Sequence, residues 1–216
     1  MKSQVRGGTR WKRFAVVMVP SVAATAAIGV GLAQGALAAS FSISGQEFKV
    51  STDALVGEQF VQYGSLASSK DLEGKPFAEP VGVSGFSEAW ITNMCQSVVT
   101  PKVPFIGNVS LELRAGTDNG EPVYAKDIYL DVSSLKADAE FGNIDIGVAA
   151  GSLPKSQGKP GIQPGTQANP YGFSQRAETA TLKNVEQKAW ATTAGTFKLP
   201  DLKLSLHKGT KECFSE

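Results

Sequence analysis

The stretch Asp127-Ile-Tyr-Leu-Asp-Val-Ser-Ser-Leu-Lys-Ala-Asp-Ala-Glu-Phe141 decides the fold class. Apolar positions alternate with polar ones on both sides of its central serine pair, and charges occupy Lys136, Asp138 and Glu140. Alternation with a period of two places successive side chains on opposite faces of an extended strand. One face is then wet while the other packs on a core, which is typical of antiparallel sheets.

The same alternation recurs along the chain after residue 39. Further examples are Phe41 and Ile43, Ile144, Ile146 and Val148, and Leu202, Leu204 and Leu206. Residues 177–188 favour extended chain over helix because they contain Thr179, Thr181 and Val185. The sequence therefore predicts a single all-β domain over residues 39–216, made mainly of antiparallel strands. Its strands form either a sandwich or stacked β-units, the latter suggested by similar segments that begin at Asn108, Asn143 and Asp201.

Two segments carry turn and loop chemistry. Thr117-Asp118-Asn119-Gly120 contains an Asn-Gly pair, which predicts a hairpin that joins Val109–Leu113 to Val123–Val132. Residues 151–172 are rich in glycine and proline, so we expect a long exposed loop there. A loop of this length is either functional or mobile, and the composition favours a mobile insertion.

Residues 1–38 have the pattern of a signal peptide. A basic stretch to Arg13 precedes an uncharged apolar run over residues 14–37, and the small residues Ala36 and Ala38 precede Ala39. This A-x-A pattern predicts cleavage after Ala38. The alternative is an uncleaved anchor, because about 20 apolar residues suffice to span a bilayer. Both predict membrane contact through residues 14–37 and an exported protein, secreted or associated with the cell surface.

Export determines how the two cysteines are interpreted. Disulfides persist in the oxidising compartments outside the cell, so Cys95 and Cys213 are expected to form one. Such a bond would close a loop of over a hundred residues and stabilise the fold by roughly 4 to 5 kcal/mol in the loop-entropy model.

Charge and composition exclude several classes of function. Five of the 21 basic residues lie before residue 39, so the remaining chain holds 16 basic and 20 acidic side chains, a net charge of −4. No basic field is therefore available to attract nucleic acid. One histidine and two cysteines cannot supply a common zinc site, which needs four close ligands. We expect no metal and no cofactor.

Catalytic signals are weak, and the sequence leans against an enzyme. The esterase elbow G-x-S-x-G is absent, and its nearest approach places Ser84 in Gly82-Val83-Ser84-Gly85. A serine triad would need His207, the single histidine, as its base. Alternation with Leu202, Leu204 and Leu206 assigns His207 to a polar, solvated face. Ser84 and His207 are thus only weak catalytic candidates.

Trp190 is a candidate for surface contact. It shares parity with Glu186 and Lys188, while Ala189 and Ala191 take the other face. Exposed tryptophan suits contacts with sugar, lipid or protein, whereas a loop or a second strand laid over it would bury it. Burial is the favoured interpretation, because large aromatic side chains are highly buried on average.

Four longer motifs resemble a known family: residues 4–11 (QVRGGTRW), 92–99 (TNMCQSVV), 190–197 (WATTAGTF) and 208–213 (KGTKEC). They are similar to an actinobacterial family of exported proteins of unknown function, over nearly the whole chain. Members of that family often carry an automatic "cholesterol esterase" label, for which these residues offer no catalytic set. Members also occur near genes for small multi-span membrane proteins, which implies a partner in the cell envelope.

Together these observations predict an exported, non-catalytic protein of the cell envelope. Its role would be structural, or it would bind an apolar ligand or a small multi-span membrane protein. The alternative is an esterase acting on lipid or steryl esters.

Overall fold

The computed structural model of the protein describes residues 44–117, 120–154 and 159–215. Residues 42–216 form one compact unit. Its described residues hold nine strands, β1 to β9, and one 3₁₀ turn, Ala150–Ser152. The strands are Phe48–Lys70 (β1), Pro76–Thr92 (β2), Met94–Val103 (β3), Gly107–Ala115 (β4), Val123–Gly142 (β5), Asp145–Ala149 (β6), Phe173–Thr193 (β7), Thr196–Lys198 (β8) and Lys203–Lys208 (β9).

All the described strands belong to one antiparallel sheet, in the order β6-β7-β5-β2-β1-β3-β4-β9, with β8 paired to β5. The prediction of an all-β, mainly antiparallel fold is confirmed. The two arrangements considered for it, a sandwich and stacked units, are replaced by a single sheet. The predicted N-terminal export helix lies outside the described residues.

The sheet closes on itself through its four longest strands. One edge of β1 pairs with β2 over Ala54–Lys70, and its other edge pairs with β7 over Phe48–Tyr63. Strand β5 lies between β2 and β7 and completes a ring of β1, β2, β5 and β7. Strands of 17 to 23 residues are long enough to pair with two neighbours along most of their length.

Residues with left-handed backbone interrupt the regular pairing within the ring. They are Gln59 in β1, Asp127 in β5 and Asn184 in β7, with φ of 53°, 50° and 52°. The register of β5 against β7 shifts opposite Asn184, between Lys136 and Asp138. Such irregularities bend a strand and increase its twist, so the sheet can curl closed.

The interior of the ring holds an aromatic cluster above a row of small residues. Phe60 packs against Phe86 and Phe141, with ring centroids 5.3 and 5.1 Å apart. Gly57 pairs with Ala89 on one side and Ala180 on the other, and these small residues leave room for the rings. The small size of these residues in neighbouring strands therefore determines where the aromatic cluster lies.

A second apolar cluster lies on the outer face of the ring, under the segment that follows β6. Val61, Tyr63 and Val83 pack there with Leu153, and the buried Pro160 and Gly161 lie in the same segment. The prediction that residues 151–172 form an exposed loop is wrong for these positions. Residues 151–154 and 159–172, the described part of this segment, hold no strand. The apolar residues among them cover sheet surface that would otherwise meet water.

The predicted hairpin between residues 109–113 and 123–132 does not form. Strand β4 pairs with β3 and β9, whereas β5 pairs with β2, β7 and β8. Long-range partners therefore override the local turn signal, as context-dependent strand pairing allows.

Candidate functional site

Three strands extend the sheet beyond the ring. Strand β3 follows β2 after Asn93. It pairs with the start of β1 over residues 95–97 and with β4 over most of its length. Strand β4 in turn pairs with β9. We call β3, β4 and β9, with residues 209–215, the wing. In the β4–β9 register, Leu111 is opposite Leu206 and Ser110 is opposite His207. Paired residues share a face, so the wing has one apolar face and one polar face.

The polar face is covered by residues 209–215. The Ser110 hydroxyl donates to the Gly209 carbonyl and accepts from the Lys211 amide, both at 2.8 Å. The Cys213 amide donates to the Ser97 hydroxyl at 3.0 Å. A disulfide joins Cys95 of β3 to Cys213. Ser97 and Ser110 are thus buried, and their hydroxyl groups are hydrogen-bonded to backbone groups of the C-terminal segment.

An ionic cluster completes this covered face. Glu112 is only 6% exposed, and the Arg114 Nε atom donates to its Oε1 atom at 2.8 Å. The Lys211 ammonium lies 3.2 Å from the Oε2 atom. The hydrogen bond from Arg114, followed by that from Lys211, holds the pKa of Glu112 below its usual range despite burial. The C-terminal segment is therefore held against the wing by the ion pair of Lys211 with Glu112 in addition to the disulfide.

The opposite face of the wing is apolar and open. Leu204 and Leu206 are 58% and 67% exposed, and their partners Leu113 and Leu111 are half-buried. Alternation in the sequence predicts that Leu202, Leu204 and Leu206 face a core, and this prediction is wrong. The C-terminal segment already covers the serine and glutamate side of the sheet, so the leucines of β9 are left facing outward.

Two more apolar side chains of the wing are exposed at the turn between β3 and β4. Phe105 is fully exposed there and Ile106 is 48% exposed. Lys102, which precedes this turn, and Lys208, which pairs with Val109, are also exposed. Large exposed apolar patches mark interaction sites, and the wing groups several exposed apolar side chains.

The wing is basic although the domain is acidic. Residues 94–115 and 203–215 hold five basic and two acidic side chains, whereas the rest of residues 39–216 holds 11 basic and 18 acidic ones. Both acidic residues of the wing are paired, Glu112 with Arg114 and Lys211, and Glu212 with Lys49. Positive charge is therefore concentrated beside the exposed leucines.

The two weak catalytic candidates lie in different parts of the sheet. Ser84 is buried in the ring, where it accepts a hydrogen bond from Gln62. His207 lies on β9, four strands from β2 in the order of the sheet. His207 contacts the Lys211 ammonium at 3.3 Å, and the hydroxyl of Ser110 opposite it is hydrogen-bonded to the backbone of Gly209 and Lys211. The described residues do not bring Ser84 and His207 together.

Trp190 and Asp131 are neither fully exposed nor fully buried. Trp190 is half-buried and packs on Phe77, with ring centroids 4.8 Å apart. Asp131, which alternation assigns to a wet face, is half-buried, and burial raises its pKa. The predicted cleavage residues Ala36, Ala38 and Ala39 lie outside the described residues.

Within residues 44–117, 120–154 and 159–215, no group of three or more histidine, cysteine or acidic side chains is placed to hold a metal ion. The same part of the chain contains no helix of the length and apolar character that a membrane crossing requires.

The described residues define an all-β protein built on one closed antiparallel sheet with a disulfide-fastened wing. The chain belongs to a family of unknown function, DUF6230, whose model matches residues 44–214. No curated protein and no solved structure matches this chain. The Cys95–Cys213 disulfide is consistent with an oxidising, extracellular location.

Sequence reasoning missed Phe105, Ile106 and the outward direction of the β9 leucines. A signal for the latter was present in β4, where Ser110 and Glu112 alternate with leucines as regularly as polar residues do on a wet face. That pattern does not reveal which of the two faces the chain itself will cover.

Proposed function

We propose that this protein is an exported, non-catalytic protein of the cell envelope that binds the surface of an anionic membrane through the apolar face of its wing. The observation that carries the proposal is the exposure of Leu204 and Leu206 on β9 and of Phe105 at the β3–β4 turn of the same wing. A loop with a protruding aromatic side chain can enter the boundary between headgroups and acyl chains, as interfacial helices do.

Charge supports an anionic membrane over a neutral one. Each lysine or arginine near an anionic lipid surface contributes about 1 kcal/mol of attraction. Lys102, Lys203 and Lys208 are exposed on the wing, while most acidic side chains lie elsewhere in the domain. The domain would therefore approach such a surface with the wing first.

Construction of the wing supports the same role. Its polar face is held by the Cys95–Cys213 disulfide, by the hydrogen bond that Ser97 accepts from the Cys213 amide, and by those that Ser110 forms with Gly209 and Lys211. A preorganised surface loses less conformational entropy when it binds. The export predicted for residues 1–38 would deliver the domain to the outer surface of the membrane.

The test is cosedimentation of residues 39–216 with lipid vesicles. This length includes the whole compact unit with its closed sheet and its disulfide. We expect binding to vesicles of phosphatidylglycerol and phosphatidylcholine, weaker binding in high salt, and little binding to phosphatidylcholine alone, because salt screens exposed charges.

A double variant, Phe105→Ser with Leu206→Ser, should weaken that binding at least tenfold. Burial of one such side chain contributes about 1.5 to 3 kcal/mol. The matched control is Tyr171→Ser with Ile146→Ser, which removes side chains that are 90% and 65% exposed outside the wing. Equal binding by the two double variants, or no binding by the wild type, would overturn the proposal.

A further inference from the structure

The ring of β1, β2, β5 and β7 holds an apolar cavity that opens to solvent beside the exposed residues Leu135 and Ala139. The cavity has a volume of about 160 Å³ and is lined by residues from all four strands of the ring. Its apolar wall is formed by Leu55, Phe60, Phe86, Leu130, Phe141 and Leu182. Most protein interiors pack densely, with few voids larger than a water molecule, so a space of this size requires an explanation.

Small residues on β5 keep the cavity open. Ala137 and Ala139 line it at positions where larger side chains would fill the space. Leu135, which is 40% exposed, also lines the cavity and stands at its rim. The register of β5 against β7 shifts between Lys136 and Asp138, in the same part of the strand. The opening therefore coincides with a local irregularity of the sheet.

One polar side chain in the cavity wall lacks a partner. Gln187 is only 7% exposed, and its side-chain amide forms no hydrogen bond within the described part of the chain. The neighbouring polar groups are satisfied, because Gln62 donates to Ser84 at 3.0 Å and accepts from Gln175 at 2.6 Å. Gln187 pairs with Leu135 at the rim of the cavity, so its amide depends on water that enters through the opening. A ligand with one polar group would replace that water as the hydrogen-bond partner.

The wall also defines the charge of the ligand. The lining residues that belong to the described part of the chain include no Asp, Glu, Lys, Arg or His. A carboxylate or ammonium group would be buried there without compensation, which costs far more than burial of a neutral polar group. The ligand is therefore neutral.

We propose that this cavity binds a neutral aliphatic molecule with one hydrogen-bonding group, an alcohol or an ester, which meets the amide of Gln187. An engineered apolar cavity of about 150 Å³ holds benzene, so the space suits an aliphatic segment of roughly six carbons by the same comparison. A longer chain would leave past Leu135. The site is separate from the apolar face of the wing and is independent of membrane binding.

The experiment measures binding of 1-hexanol, hexanoate and benzene to residues 39–216 by saturation-transfer NMR and by the shift in Tm. We expect 1-hexanol to bind and to raise Tm, and hexanoate at pH 7 to bind at least tenfold more weakly. No detectable 1-hexanol binding at millimolar concentration, or equal binding of hexanoate, would overturn the proposal.

Two variants identify the site. Ala137→Phe should fill the cavity and abolish binding of both 1-hexanol and benzene, whereas Ala78→Phe, at an exposed position of β2, should bind as the wild type does. Gln187→Leu should weaken 1-hexanol binding about threefold to tenfold, as loss of one hydrogen bond implies, and leave benzene binding unchanged. Wild-type binding of 1-hexanol by both Ala137→Phe and Gln187→Leu would place the ligand elsewhere and refute the assignment.

Discussion

Gly57 lies directly against the ring of Phe86 across the β1–β2 pairing. A Cβ atom at residue 57 would stand 2.2 Å from the Phe86 Cδ1 atom, far inside van der Waals contact. This contact fixes where the aromatic cluster sits inside the closed sheet.

Gly57→Ala should therefore lower the free energy of unfolding by about 1 to 3 kcal/mol, the usual cost of overpacking a core. Gly64→Ala in the same strand is the matched control, because nothing lies within 4 Å of its Cβ position. Urea denaturation of both variants measures the difference. Equal midpoints would show that Phe86 moves aside without cost.

Glu112→Gln should destabilise the protein at pH 7 by about 1 kcal/mol, through loss of charge-assisted hydrogen bonding. The figure is modest because Arg114 and Lys211 are half exposed and solvent screens them. The folded-state pKa of Glu112 lies below the ordinary value of 4.5. The stabilisation is therefore present above pH 4.5 and is lost as the pH falls through the lower, folded-state pKa.

Urea denaturation at pH 7 and in acid tests this expectation. The wild type and Glu112→Gln should differ at pH 7 and converge once the carboxyl is protonated. Glu140→Gln, at an exposed position of β5, should match the wild type at both values. A constant difference between the wild type and Glu112→Gln would contradict the ionic explanation.

Tyr63→Phe should loosen the segment over residues 151–172. The Tyr63 hydroxyl accepts a hydrogen bond from the Gln163 amide at 2.8 Å, and its loss would leave that donor unsatisfied, at a cost of about 1 to 3 kcal/mol. Hydrogen exchange at Gln163 and urea denaturation should both report the change. Tyr171→Phe, which alters a tyrosine that is 90% exposed, serves as the control.

Tyr63 also predicts an alkaline transition. Burial raises the pKa of Tyr63 to about 12 from an ordinary 10.0. A raised folded-state pKa means that the stabilisation is complete below pH 10 and is lost as the pH rises through 12. The hydrogen bond to Glu88 raises the pKa of Tyr124, and burial raises that of Tyr129. Tyr63→Phe should therefore remove only the last step of the tyrosinate absorbance titration. If that last step persists in the variant, it belongs to Tyr124 or Tyr129.

Replacement of both cysteines, Cys95→Ser with Cys213→Ser, should lower the free energy of unfolding by about 4 to 5 kcal/mol in the loop-entropy model. It should also release the C-terminal segment, so that trypsin cleaves after Lys208 and Lys211 faster than in the oxidised wild type. The reduced wild type should behave as the double variant does. Unchanged cleavage would mean that hydrogen bonds to Ser97 and Ser110 hold the segment alone.

The strands themselves could be predicted from the sequence, because each carries its own alternation. Ile128, Leu130 and Val132 are buried in β5 as their parity requires, and Thr179, Thr181 and Val185 do lie in a strand. The pairing of Cys95 with Cys213 also agrees with the structure. These features depend on local pattern or on composition.

Partners and faces could not be predicted, because they depend on distant segments. Whether Leu204 faces a core depends on what covers Ser110, and that cover is formed by residues 209–215. The ring closes because β7 pairs with β1. Alternation within a strand does not predict which strand will be its partner. The cavity depends on Ala137 and Ala139 being too small to fill a space that three other strands define.

The pairing of β1 with β7 has a kinetic consequence. Phe48 to Tyr63 meet partners that are more than a hundred residues later in the chain, whereas β1 and β2 are joined by a short turn. Contacts at such separation make folding slow. We expect the β1–β2 hairpin to form early, with one edge of β1 unpaired until β7 docks. Docking of β7 should therefore limit the rate of folding. Before that step, the unpaired edge of β1 is exposed to aggregation.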